Sequence, residues 1–161
     1  MARAYVIDNI QADNAGIKVP PPLIYLAGFT IGLILQRFIP FMPLNWQMRW
    51  WGAILILAGA FFMVTALSLF RQNKNSPIPD KPVTTLLRSG VYNTTRNPMY
   101  LGMLLSYLGL AWLMGIIWAL FVAVAVFFII NQQIIPREEQ YLTRKFGDEY
   151  INYVKSVRRW L

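Results

Sequence analysis

Apolar residues fall in four blocks along the chain, and polar residues collect between and after them. The first block, Leu23 to Ile39, is entered through Pro20, Pro21 and Pro22 and is interrupted only by Gln36 and Arg37 near its end. A connector carrying Pro40, Pro43, Asn45 and Arg49 leads to a cleaner run, Trp50 to Phe70, whose paired tryptophans suit the aromatic belt of a membrane interface. Two further runs, Tyr100 to Met114 and Ile116 to Ile135, are separated by little more than Gly115 and predict a tight helical hairpin. A helix needs about 20 mainly apolar residues to cross a bilayer. The third run is short, which predicts a helix that is tilted or shielded by its neighbours. The pattern therefore predicts an all-α polytopic membrane protein, a single membrane domain over residues 1–161 with four transmembrane helices at about 23–39, 50–70, 99–114 and 116–135.

Two segments break this pattern. Residues 71–97 are rich in Asn, Ser, Pro, Thr and basic side chains and predict a polar loop on the membrane surface, of a length that is uncommon unless it serves a function. After Pro136 the chain turns charged but keeps helical periodicity, with Leu142, Phe146, Tyr150, Tyr153 and Val157 at spacings of three and four. That is an amphipathic tail, 136–161, at the interface or against the loop. Gly147 is expected to interrupt it, with Asp148 capping a second short helix.

Composition agrees. The chain is 57% hydrophobic and only 14% charged, yet carries a formal +8, whereas a soluble domain is about 25% charged. Five Lys or Arg residues lie in the 71–97 loop and six in the tail, so 11 of the 15 share one face of a four-span protein. By the positive-inside rule that face, and with it both termini, is cytoplasmic. The polar first 20 residues, in which Arg3, Asp8, Asp13 and Lys18 offset one another, do not resemble a cleavable signal peptide. The basic residues flank apolar segments and make no continuous face, so anionic lipid, not nucleic acid, is the expected counter-charge. There is no Cys and no His, which excludes a thiol nucleophile, a disulfide scaffold and the commonest general base, and leaves no expectation of a metal site.

The chemically suggestive residues sit at the end of the loop and the start of the tail. Asn97 is a good N-cap and Pro98 suits the first helical position, so the third span is expected to begin there with unpaired backbone N–H groups. Beside Arg96, such a helix start can hold an anion, and Gly102 one turn in allows a ligand or another helix to come close. The same residues also describe an ordinary capped helix with a packing glycine. Glu138 and Glu139 follow the fourth span, where burying a carboxylate is costly unless it is paired. Adjacent helical residues point about 100° apart, so one glutamate is free to meet a ligand while the other pairs with Arg96 or Arg137. The plainer reading has them in helix-surface pairs with Arg144 and Lys145.

From about Pro79 onward the chain resembles the integral-membrane methyltransferases that include isoprenylcysteine carboxyl methyltransferase and the phospholipid methyltransferases. The first signature is Gly90, Val91 and Tyr92 followed by Arg96, Asn97, Pro98, Met99, Tyr100, Leu101 and Gly102; the second is Glu138, Glu139, Leu142, Phe146, Gly147, Tyr150 and Tyr153. Asn97 stands where well-known members carry His, which rules out a mechanism needing that imidazole as a base. The resemblance implies S-adenosylmethionine as cofactor, with Tyr92, Arg96, Asn97, Pro98, Tyr100, Leu101 and Gly102 on one wall of its site and Glu138 and Glu139 on the other. It further implies methyl transfer at the cytoplasmic membrane boundary to a lipophilic or lipid-borne acceptor, for whose polar head Arg137, Tyr150, Tyr153 and Arg158 are candidates. Competing readings are a nicotinamide-dependent membrane reductase related to sterol reductases, a small four-span transporter and a scaffold. The double glutamate speaks against the first. The lack of any Asp or Glu within the four apolar runs speaks against a proton-coupled transporter.

Overall fold

The structure is a computed structural model and describes residues 13–41, 46–77 and 81–161. Arg3 and Asp8, the connector residues Pro43 and Asn45, and Pro79 at the start of the resemblance lie outside the described residues. Among the described residues the chain is helical with no strand. Helix α1 runs Pro21–Phe38 and α2 Trp46–Gln72; a single 3₁₀ turn, Gly90–Asn93, precedes α3, Pro98–Met114. Helix α4, Ile117–Ile129, continues through one wide π turn, Ile130–Ile134, into α5, Ile135–Phe146, and α6 covers Asp148–Ser156.

Local chemistry accounts for the boundaries. Prolines sit in the first turns of α1 and α3, where a missing N–H donor costs little. The α3–α4 hairpin closes on Gly115 at φ 72°, a left-handed position that glycine takes without penalty. The π turn is defined by the Ile135 amide reaching the Ile130 carbonyl, five residues back. It precedes Pro136, whose ring would collide with the carbonyl four residues earlier in a regular α-helix. Gly147, at φ 52° and ψ −128°, separates α5 from α6. Two expectations about caps need correcting. Asp148 is the first residue of α6 and not its cap, and Asn97, although at the N-cap position of α3, makes no side-chain capping bond. Arg49, expected in the connector, lies within the first turn of α2, which starts four residues earlier than the hydropathy pattern suggests.

Helices α1, α2 and the α4–α5 rod are long and apolar enough to cross a membrane, and α3 is a shorter apolar helix. At 1.5 Å per residue, α3 is about 25 Å long. It packs antiparallel on α2 through interleaved glycines: a Cβ on Gly102 would lie 2.7 Å from the Gly59 carbonyl, and one on Gly109 would lie 2.6 Å from that of Gly52. Gly32 does the same for α1 against Ala119 of α4. Small residues at these positions let helices approach where lipid supplies no hydrophobic drive between them. The outward faces carry exposed Leu26, Ile31 and Ile34 on α1, Trp50, Leu57, Phe61 and Val64 on α2, and Phe121, Val124 and Phe128 on α4. Such a surface calls for lipid.

The core runs from Tyr25 and Tyr107 through Ala119, Ala123 and Val126 to Ile130 and Ile135. Buried hydroxyls are satisfied by backbone: Tyr25 donates to the Tyr100 carbonyl at 3.1 Å and Tyr107 to that of Ala119 at 3.0 Å. At the end remote from the loop, Trp112 and Trp118 donate their indole N–H groups to the carbonyls of Met48 and Ile39. The opposite end, where α3 begins and α5 follows the π turn, gathers the polar residues.

Candidate functional site

A cavity of about 250 Å³ opens at that polar end, close to the lower limit of small-molecule pockets, about 300 Å³. Its walls come from the start of α1, the loop after α2, the first turns of α3, and α5 and α6. Nine of the residues singled out by sequence line it: Tyr92, Arg96, Asn97, Pro98, Tyr100, Glu138, Glu139, Tyr150 and Tyr153. Four do not. Leu101 is buried on another face of α3. Gly102 faces Gly59 and Met63 of α2, so its missing side chain serves helix packing and not ligand approach. Arg137 is turned away by the 100° step of the helix and lines a separate groove between α1 and α4. Arg158 contributes its backbone carbonyl, which accepts from the Arg96 amide at 3.0 Å.

The two glutamates have different surroundings. Glu139 is held by two guanidinium groups: its Oε1 receives Arg96 at 3.0 Å and Arg159 Nε at 3.1 Å, and its Oε2 receives Arg159 at 2.5 Å. Glu138 has no cationic partner among the described residues. Its Oε1 accepts the Tyr100 hydroxyl at 2.5 Å. It lies in α5, past the apolar stretch of α4, and burial pushes its carboxyl up to about 7; the Tyr100 bond opposes that rise and the neighbouring Glu139 adds to it. Charge also differs across the site. Arg96 and Arg159 against Glu139 leave one positive charge, and Arg96 Nε is buried with no hydrogen-bond partner.

The aromatic wall is built by α6 and the 3₁₀ turn. Tyr153 donates to the Tyr92 carbonyl at 2.7 Å, and the Tyr150 and Tyr153 rings lie 6.1 Å apart. Burial raises all three hydroxyls above their usual range, Tyr150 to about 12, so they are neutral donors. The wall is continued by Phe70 of α2, whose ring meets Tyr92 edge-on.

Sequence reasoning missed the groups that tie this end together. The start of α3 is fastened to the chain segment after α6: Thr95 Oγ1 and Asn97 Nδ2 both donate to the Arg159 carbonyl at 3.0 Å. Asn97 is thus a tether, which explains why it does not cap. Asn131, in the π turn, accepts from Trp160 Nε1 at 3.0 Å, and the Trp160 ring packs at a 38° tilt with its centroid 5.1 Å from that of Phe127. Asn75 organises the loop, receiving Thr84 N, Thr84 Oγ1 and Thr85 N and donating to the Thr85 carbonyl. Tyr141 accepts from Val83 N at 3.0 Å and donates to Asp13, which also pairs with Lys145 at 2.6 Å. The single usable signal was Tyr141, one turn beyond Glu138 on the same helical face; the others are long-range contacts of residues common in any loop. The surface pairs expected of the glutamates do not form, since Glu139 is taken by Arg96 and Arg159, and Lys145 by Asp13.

A helical membrane domain with a cavity at one polar end, walled by paired glutamates and tyrosines, is the setting in which relatives become informative. The phospholipid methyltransferase family model matches residues 48–149, and the chain belongs to that family of membrane methyltransferases. It is 48% identical over 71 residues to an uncharacterized protein of Haemophilus influenzae, covering 39% of this chain and all of that one. It is also 31% identical over 112 residues to the methanethiol S-methyltransferase of Pseudomonas deceptionensis, covering 66% of this chain and 40% of the relative. The chain therefore spans less than half the length of that enzyme. No solved structure matches.

Proposed function

We propose that the protein is an S-adenosylmethionine-dependent methyltransferase that modifies a small lipophilic or lipid-borne acceptor at the cytoplasmic boundary of the membrane. The observation that carries this reading is the convergence of both signature segments on one cavity whose charges are sorted. Glu138 offers a carboxylate without a cationic partner, and Arg96 offers a buried donor without an acceptor. An amino acid moiety needs that pair of opposites: Glu138 would take its ammonium or the ribose hydroxyls, and Arg96 its carboxylate. The rings of Tyr92, Tyr150 and Tyr153 are suited to a sulfonium or an adenine face. When bound, the cofactor supplies an electrophilic methyl carbon.

The chain's own residues then have to orient the partners and keep water out. Glu139, fixed by Arg96 and Arg159, holds Arg96 in place. The Tyr100 hydroxyl, donating to Oε1, keeps Glu138 aimed into the cavity. Met99, Met103, Leu86 and Leu87 supply the apolar lining that a lipophilic acceptor requires. In this reading Tyr150 orients the acceptor's polar head and Tyr153, whose hydroxyl is held by the Tyr92 carbonyl, backs it; the position of Arg137 outside the cavity removes support for it in that role. A carboxylate or a preformed thiolate acceptor needs no imidazole, consistent with Asn97, and a thiol would first release its proton to solvent. The thiol named for the Pseudomonas relative fits this restriction. Four spans, with the short α3 completing the set, and both termini on the cytoplasmic side complete the proposal, supported by the basic loop and tail.

The test is binding by the purified protein in detergent. S-adenosylmethionine and its demethylated product are expected to raise the thermal midpoint, and Glu138→Gln with Glu139→Gln to abolish the shift. Stabilisation by NADPH and not by S-adenosylmethionine would overturn the reading in favour of a reductase. Transfer of a labelled methyl group into fractionated lipid and thiol extracts identifies the acceptor.

A further inference from the structure

The groove between α1 and α4 is separate from the cavity just described and has its own chemistry. Its volume is about 470 Å³. Leu23, Ala27 and Ile31, four residues apart on α1, form one wall, and Val122, Ala125 and Ile129 of α4 form the other. Gly28, which has no Cβ, lets the floor close against Val126. At the polar end the groove is finished by Lys18, Gln133 and Arg137. Both cations are exposed, and among the described residues neither makes an ion pair and no acidic residue lines the groove. The apolar walls therefore run into the hydrocarbon while two positive charges and an amide sit where headgroups lie.

We propose that this groove is a binding site for one anionic phospholipid, with an acyl chain between α1 and α4 and its phosphate between Lys18 and Arg137. Charge complementarity selects the occupant. A zwitterionic lipid gains little from two unopposed cations, because its own ammonium offsets the attraction, whereas a lipid with net negative charge gains from both; basic pockets between spans recognise such headgroups. Arg137 adds a planar fork suited to a phosphate. The ligand is distinct from the methyl acceptor, since the groove and the Glu138 cavity lie on different faces of the α4–α5 rod and share no lining residue. The proposal stands whether or not the chain transfers methyl groups.

The experiment embeds the protein in nanodiscs of equimolar phosphatidylglycerol and phosphatidylcholine with matched chains, extracts it in mild detergent, and counts retained lipids by native mass spectrometry. Wild type is expected to retain one phosphatidylglycerol in preference to phosphatidylcholine. Each cation contributes about five-fold, so Lys18→Gln with Arg137→Gln is expected to lower the preference roughly twenty-five-fold. Ala125→Trp, which fills the apolar groove from an exposed position and keeps both charges, is expected to lose the lipid too. Arg144→Gln with Lys155→Gln removes two exposed cations elsewhere and is expected to change nothing. Equal retention of the two lipids by wild type overturns the proposal, as does loss of preference in the Arg144 and Lys155 variant, which would assign the effect to overall charge. Unchanged retention in either groove variant overturns it as well. Thermal midpoints close to wild type verify that each variant is folded.

Discussion

Helix α3 meets two very different neighbours. Along its length it lies against α2 with glycine facing glycine, and the contact is made of backbone with small or apolar side chains such as Ser106, Met63 and Ile56. At its first turn it meets the segment after α6, and there nearly every contact is a hydrogen bond: Arg96 N, Thr95 Oγ1 and Asn97 Nδ2 converge on two successive carbonyls, while Arg96 joins Glu139 and Arg159. The first interface depends on shape and tolerates no added volume. The second depends on satisfied polar groups and tolerates volume better than the loss of a partner. Stability and site geometry are thus assigned to opposite stretches of one 17-residue helix.

That division is open to test, starting with the largest effect. Gly59→Leu forces α2 from the Gly102 backbone and is expected to cost about 3 kcal/mol, read as a fall in the thermal midpoint in detergent. An unchanged midpoint would mean that close approach does not hold these helices. Glu139→Gln leaves two guanidinium groups facing each other and is expected to cost about 2 kcal/mol. Its signature should differ, with cofactor affinity falling more steeply than thermal stability; equal losses in both would dissolve the distinction between the two interfaces.

A third effect is read through pH. Because the Glu138 carboxyl is raised to about 7 in the folded protein, its contribution favours folding below its ordinary range, near 4.5, and is lost as pH climbs from there to about 7. The thermal midpoint of wild type relative to Glu138→Gln is therefore expected to decline from pH 5 to pH 8. Binding of a cationic ammonium goes the other way, strengthening as pH rises through 7 in wild type and flat in the variant. Parallel profiles for the two proteins would remove Glu138 from the site. The smallest effect is reserved for the exposed Asp13. Asp13→Asn weakens its bonds to Lys145 and Tyr141 and is expected to leave the midpoint nearly unchanged while loosening the loop at Val83, seen as faster amide exchange there.

The helices were legible because lipid imposes long apolar runs and because Gly115 and Gly147 stand at positions that need positive φ. Lengths were less legible: α2 begins within the supposed connector, since Trp46 and Gln47 are compatible with either state. At the site, the types and the segments were readable, and nine residues do meet. Their partners were not. A sequence indicates that Arg96 and Glu139 are charged, but not that Arg159 completes the set or that Asn97 spends its amide on a carbonyl 62 residues away. Gly102 shows the same limit, because a glycine one turn into a helix is compatible with ligand approach and with packing, and only the position of α2 decides. Arg137 was misplaced for a simpler reason, that one step along a helix changes the face.

The π turn gives that step a wider consequence. A helix carries angular phase, and every residue after position 134 inherits the phase set by the one surplus residue in Ile130–Ile134. Closing that turn to regular pitch with every residue retained would advance the tail by about 100°. Arg137 would then stand where Glu138 meets Tyr100, Glu138 where Glu139 meets the two arginines, and Glu139 where Gln140 now lies. Composition and hydropathy would not register the change. In this chain the pitch of a single turn acts as a rotation, and one wide turn keeps the acidic and basic residues on their separate faces.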